Sequence, residues 1–272
     1  MAKKIVYLTD LYYRTYSRNY PNEDLLITEQ LKDSFDLVLC NPHNIEAFED
    51  DADLIVLRNT GCVILYKEEF DKFKESVKEK HLPIFNEFTG KGDMQGKQYL
   101  IDLTLSGYPV IPTVDTKADI STLPECERYV IKPKSGADSI GLEFLTPQQL
   151  HERDFPDYDT IIQPAIDFLY EVSFYFINDK FEYALYAPNA KKRWELKEYS
   201  VTAEDIEFAR KFIDWNSIHH GIQRIDACRT KDGELLLMEL EDLNPFLSFE
   251  CLDQKTQNKF IADFSNALQQ ML

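Results

Sequence analysis

The chain changes its hydrophobic rhythm about a third of the way along, and this constrains its fold more than any other feature. Up to residue 86, short apolar runs alternate with longer, charged, helix-like stretches. Strand signals fall at 5–9, 36–40 and 53–57, an amphipathic stretch at 23–34, and a charged helical pattern at 67–80 before Pro83-Ile84-Phe85-Asn86. Strands separated by helices imply a parallel sheet covered on its faces, so a small α/β domain is expected here. From residue 128 strands follow at close spacing, at 129–133, 142–144, 160–163, 171–177 and 181–187, with a turn at Asn178-Asp179-Lys180. The fold class expected is therefore α/β at the start and α+β beyond it.

Between the two rhythms lies 87–96, rich in glycine and polar residues, then a helix expected at 97–106, stopped by Gly107 and Pro109, and a strand at 110–114. Further on, Thr202 caps a helix at 202–215 with Asp205 completing a box-like start. A hairpin at 222–228 and 234–240 turns around Lys231-Asp232-Gly233, and a last helix covers 253–271.

Composition narrows the partners. Lys and Arg total 30 against 48 Asp and Glu, a net charge of −18, so phosphate backbones and anionic membranes are poor partners. A 44% hydrophobic and 13% aromatic content argues against disorder. No apolar run approaches the roughly 20 residues of a membrane span, and the start of the chain reads as a strand rather than a signal peptide. The five scattered cysteines, Cys40, Cys62, Cys126, Cys228 and Cys251, form no metal or disulfide pattern, which suggests a reduced, cytoplasmic setting.

Gly90-Lys91-Gly92-Asp93-Met94-Gln95-Gly96-Lys97 invites comparison with a phosphate-binding P-loop. Its glycine spacings are wrong and Gln98 follows the lysine, so that reading is rejected. In Tyr129-Val130-Ile131-Lys132-Pro133-Lys134-Ser135-Gly136-Ala137-Asp138-Ser139-Ile140-Gly141 a strand delivers Lys132 into a small-residue loop. Such a loop can cradle phosphate oxygens, or it can be an ordinary hairpin turn. In Leu237-Met238-Glu239-Leu240-Glu241 the strand period of two puts Glu239 and Glu241 on one face, with Asp226 of the preceding strand within reach. Three converging carboxylates repel unless a hard cation neutralises them, and magnesium carrying nucleotide phosphates suits them. A solvated acidic edge is the alternative. The apolar strand ending at Gln163-Pro164 exposes backbone that could read an adenine edge, and Glu171 follows as an acceptor for ribose hydroxyls.

Taken in order, from about Lys97 to Pro245, these segments resemble the ATP-grasp superfamily of carboxylate–amine ligases, most closely its glutathione-synthetase-like members. Gly96-Lys97-Gln98-Tyr99-Leu100-Ile101-Asp102-Leu103, Gly107-Tyr108-Pro109-Val110-Ile111-Pro112-Thr113 and the Glu239 strand carry the likeness. The resemblance implies an N-terminal domain over 1–90 and an ATP-grasp domain of two subdomains over 91–272, its nucleotide lid near 115–165. It implies Lys97 and Lys132 as the nucleotide lysines, a flexible loop from Gly136 through Ser139 to Gly141, an adenine hinge at Gln163, Ala165 and Ile166, and Glu171 on the ribose. Asp226, Glu239 and Glu241 become ligands of Mg2+, with Mn2+ as a substitute. Arg224 and Arg193 would steady the transferred phosphate or an anionic substrate. Many relatives have Asn where Glu241 stands, and Asp242-Leu243-Asn244-Pro245 replaces their glycine-containing turn.

The activity implied is ATP-dependent joining of a small-molecule or peptide carboxylate to an amine. A phosphotransferase or a non-catalytic nucleotide-binding regulator are the competing readings, and a homodimer is left open. His219 and His220 adjoin the Arg224 strand but are explained more cheaply as helix-end residues. Substrate choice would lie in the N-terminal domain and in loops such as 10–21, whose Tyr12, Tyr13, Tyr16, Tyr20, Arg14 and Arg18 could face the cleft or equally form a mobile surface loop.

Overall fold

The computed structural model describes residues 3–13, 20–59, 61, 63, 66–135, 141–153, 159–189, 192 and 195–272. The first rhythm yields a four-stranded parallel sheet. β1 (Lys4–Leu8), β2 (Asp36–Cys40), β3 (Leu54–Leu57) and β4 (Ile84–Phe85) lie in the order β2-β1-β3-β4, with Ile5 beside Leu37 and Leu54, and Val56 beside Phe85. β3, and β1 beyond Lys4, are fully buried, which is why they read as unbroken apolar runs. α2 (Lys67–Lys80) covers one face with Phe70, Phe73 and Val77 at helical spacing. α1 (Tyr20–Leu31), which starts earlier than the amphipathic stretch implied, places Ile27 and Leu31 on the other face.

That second face also receives a helix from the far end of the chain. α6 (Gln254–Gln270) sets Phe260, Phe264 and Leu268 into one apolar cluster with Tyr7, Val56 and Phe85. The same cluster contains Tyr175, Tyr183 and Ile222 from a second sheet, so regions far apart in sequence share one core.

The second sheet is antiparallel, in the order β10-β9-β8-β11-β12. Its strands are β8 (Phe168–Ile177), β9 (Lys180–Ala187), β10 (Lys197–Glu198), β11 (Ile222–Thr230) and β12 (Leu235–Glu241). The turn between β8 and β9 has Asn178 in the left-handed region (φ 56), and Gly233 (φ 89) turns β11 into β12. α3 (Gln98–Leu105) and α5 (Ala203–Asn216) cover one face, packing Leu100, Leu103, Phe208 and Phe212 on Phe174, Ile225 and Leu237. The box at the start of α5 is complete: Asp205 N–H donates to Thr202 Oγ1 and Thr202 N–H to the Asp205 carboxylate.

A three-stranded antiparallel sheet, β6-β5-β7, stands apart with its own small core of Tyr129, Ile131, Leu150 and Ile162. Its elements are β5 (Tyr129–Pro133), β6 (Glu143–Leu145), α4 (Pro147–Glu152) and β7 (Thr160–Pro164). The run at 110–114 is no full strand. Pro109 and Pro112 lack N–H groups, so it makes two isolated bridges, Val110 parallel to Leu237 of β12 and Val114 antiparallel to Ile162 of β7. This strip joins the large sheet to the small one. Among the described residues no helix is long and apolar enough to cross a membrane, and Cys40, Cys126 and Cys228 are free thiols.

Candidate active site

Strand alternation places the acidic residues together. On β11, Arg224 and Asp226 point to one face, paired with Glu241 and Glu239 of β12 and with Tyr175 and Ser173 of β8. A bulge between Asp226 and Ala227 then changes the register, so that Leu237 pairs with Ala227. Without that extra residue Leu237 would share a face with Glu239. With it, Leu237 sinks into the core under α3 and α5 while Glu239 faces the cleft.

Asp226, Glu239 and Glu241 each offer a carboxylate oxygen, and the three lie within 4.8 Å of one another, all half-buried. Oxygen-only ligands from adjacent strands suit a hard divalent cation such as Mg2+. Two buried cations neutralise the cluster. Arg224 forks onto Asp226, with Nε–Oδ1 at 2.9 Å and Nη2–Oδ2 at 2.7 Å, and also meets Glu241. Lys97, at the start of α3, pairs with Glu239 at 2.5 Å. Burial pushes the Glu239 carboxyl upward, but the charge and hydrogen bond of Lys97, with Lys132 and Arg224 beyond, hold it below its ordinary value. Lys97 is raised despite its burial, because Glu239 outweighs desolvation.

Lys132 is half-buried in β5, two residues from Val130, which faces Gln163 of β7. Glu171 lies in β8 beside Cys228, on the same face as Ser173 and Asp226. Burial, with Glu171's charge, raises the Cys228 thiol to about 11. The Gln163 side chain donates to Thr113 Oγ1 at 2.8 Å. Ala165 spends its N–H on Arg128 O at 2.9 Å, so that of this residue's backbone the carbonyl is the group left for other partners. Gly141 adopts φ 75, and a Cβ there would stand 2.8 Å from Pro133 Cγ. Gly136, Ser139 and Arg193 lie outside the described residues, as do 14–19 of the tyrosine-rich loop. Of that loop, Tyr13 packs over Gly61 and Tyr20 sets its ring 4.4 Å from that of Phe246.

The rejected P-loop glycines have another purpose. A Cβ on Gly90 would fall 2.3 Å from Asp242 Oδ2, and one on Gly92 2.8 Å from Leu240 O. Asp242 accepts from the N–H groups of Gly92 (2.8 Å) and Met94 (2.9 Å), and its own N–H donates to Asp93 at 2.7 Å. The loop ends at Lys97, whose N–H donates to Lys134 O at 2.9 Å, so this knot sets where the lysine stands. Sequence reading noted Asp242 only as a departure from the usual turn.

The turn after β12 is similarly committed. Asn244 donates to Gly61 O at 3.0 Å, Pro245 O accepts from buried Arg58 at 3.0 Å, Phe246 O accepts from Arg224 at 2.8 Å, and Leu247 N–H donates to Glu23 at 3.1 Å. Arg58 and Glu23 are themselves paired at 2.9 Å with almost no exposure, a network that nothing in the sequence pattern marked. His219 and His220 present their backbone N–H groups to Glu87, the helix-end role expected of them.

No family model and none of the curated proteins matches the sequence. Solved structures do match over nearly the whole chain. D-cycloserine synthetase DcsG aligns with a TM-score of 0.72 at 17% identity, over 99% of this chain and 100% of that one. The ATP-grasp ligase PsnB complexed with minimal precursor gives 0.69 at 14% over all of both chains. D-alanine–D-alanine ligase from Bacillus anthracis complexed with ATP gives 0.64 at 15%, over 99% of this chain and 96% of that one. The N-terminal parallel sheet, the large antiparallel sheet with its carboxylates and the small sheet bearing Lys132 together have the fold of the ATP-grasp ligases.

Proposed function

We propose that the protein is an ATP- and Mg2+-dependent ligase that joins a carboxylate to an amine through an acylphosphate. The observation that supports this most is the cluster of Asp226, Glu239 and Glu241 on adjacent strands, flanked by Lys97, Lys132 and Arg224. A divalent ion held by the three carboxylates supplies charge neutralisation at the β- and γ-phosphates.

In this reading Lys97 and Lys132 bind phosphate oxygens, and the 136–141 loop, with Gly136, Ser139 and Gly141, covers them and keeps water out. Gln163 with the 165–166 backbone takes the adenine, and Glu171 the ribose. A substrate carboxylate oxygen attacks the γ-phosphorus and ADP leaves. The amine then adds to the acyl carbon and inorganic phosphate departs. Arg224, with Arg193, stabilises negative charge on the transferred group. Residues 1–90 and the 10–21 loop select the substrate. The solved neighbours include a D-alanine–D-alanine ligase and an ATP-grasp ligase complexed with a precursor peptide, so small amino acids and peptides are the first substrates to test.

Purified protein with Mg-ATP and hydroxylamine is assayed against pooled carboxylates for ADP and hydroxamate, then against pooled amines. Carboxylate-dependent hydroxamate and amine-dependent ADP release are expected, with Glu239→Gln lowering both by about a hundredfold or more. Stoichiometric ADP with a stable phosphorylated product and no hydroxamate would identify a phosphotransferase instead.

A further inference from the structure

The strip joining the two sheets carries a chain of hydrogen bonds whose direction is fixed. Thr113 Oγ1 lies 2.8 Å from Ile111 O. A carbonyl cannot donate, so the hydroxyl proton must sit between these two oxygens. Thr113 Oγ1 then has only lone pairs to offer Gln163, 2.8 Å away. The Gln163 amide must therefore turn its NH2 group toward Thr113, and Oε1 is the end left for other partners. Thr113 is also held through its backbone. Its N–H donates to Thr104 Oγ1 at 3.0 Å, and the Thr104 hydroxyl is spent on Leu100 O at 2.7 Å. Thr113 and Gln163 are 1% and 2% exposed, so water offers no alternative partner that would let the amide turn over.

The β5–β7 register puts Gln163 on the sheet face that bears Lys132, whose charge reaches Glu239. Gln163 thus belongs to the side of the small sheet that faces the carboxylates. We infer that Thr113 is a specificity-determining positioning residue: it holds Gln163 Oε1 as an acceptor toward the base, so the site takes a purine with an amino group at C6 and rejects its 6-oxo counterpart. This rests on the proposed reading of Gln163 as a contact of the nucleotide base. A 6-amino group donates to Oε1, whereas a 6-oxo group would set two acceptors against each other in a dry site.

The test measures binding of ATP and ITP, which differ at C6 and the accompanying N1 proton, by titration calorimetry on the full chain. Wild type should prefer ATP by about a hundredfold. Thr113→Val keeps the shape but removes the acceptor for the amide, so the preference should shrink by about tenfold, and Thr113→Ser should restore it. A purely structural role would weaken both nucleotides in proportion and leave their ratio unchanged. Should Thr113→Val not fold, Gln163→Met serves: it should weaken ATP about tenfold and bind ITP as well as wild type or better, because the opposing acceptor is gone, and equal effects on both overturn the inference. A wild-type ratio in a folded Thr113→Val that still binds ATP overturns it while sparing the proposed function. Wild type that binds neither nucleotide overturns both.

Discussion

At the scale of single residues, the cluster is organised by carboxylates with different partners and therefore different work. Glu239 is held ionised by Lys97. Asp93, by contrast, is pushed well above its ordinary value by burial and by the charge of Asp242. Asp242 in turn uses both oxygens, Oδ1 toward Met94 N–H and Oδ2 toward Gly92 N–H and Asn216 Nδ2. Asn in its place keeps one acceptor oxygen and turns a donor toward the other set. Asp242→Asn is therefore expected to lower stability by about 2–4 kcal/mol, read as a shift of the urea midpoint. Because the loop it fastens ends at Lys97, the KM for ATP should rise severalfold in the folded fraction. An unchanged KM would mean that Lys97 is positioned by Glu239 and Lys134 alone.

At the scale of elements, strand period told most of what the sequence could tell. It put Glu239 and Glu241 on one face and Asp226 opposite, and both hairpins turn where Asn178 and Gly233 stand. The bulge in β12 was not legible, since Met238 carries no mark that distinguishes it from any strand residue. Nor was the strip at 110–114, which reads as an apolar strand but, with Pro109 before it and Pro112 within it, has too few donors for a ladder. Contacts such as Asp242 with Gly92, or Arg58 with Pro245, join residues far apart in the chain and leave no local period to detect. β9 supports a further prediction. Burial raises the Glu182 carboxyl to about 7, offset in part by Lys259. A carboxyl whose folded pKa lies above its unfolded value near 4.5 holds its proton longer in the folded state. Its contribution is present below the unfolded value and declines as pH rises through the folded one, between about 4.5 and 7. Glu182→Gln should remove this decline, so stability measured in urea should fall less between pH 5 and pH 8 than in wild type, by about 1–2 kcal/mol. Parallel curves for the two proteins would count against a buried, raised carboxyl at this position.

At the scale of the whole molecule, the sequence suggests two units and the packing joins them. α6 belongs to the second unit by position but lies on the parallel sheet of the first, with Phe260 against Tyr183 and Phe249 and Phe264 against Phe85. Phe260 has no exposed surface, and the cluster around it draws from β1, β3, β4, β8, β9 and β11. If this core is shared, neither sheet can lose it alone. Phe260→Ala leaves a cavity between them and should cost about 3–5 kcal/mol, lowering the melting temperature by roughly 10 °C. Tryptophan fluorescence and far-ultraviolet circular dichroism should still report one coincident transition, because the face of the parallel sheet that α6 covers is the same cluster that holds Tyr175, Tyr183 and Ile222 of the second sheet. The arrangement also bears on the site, since the turn that orients Arg224 is held from the other unit by Arg58 and Glu23. A unit that could unfold separately would release that turn first. Two transitions in Phe260→Ala, with only one displaced from wild type, would show that the units are independent and that the Arg224 contact is an incidental one.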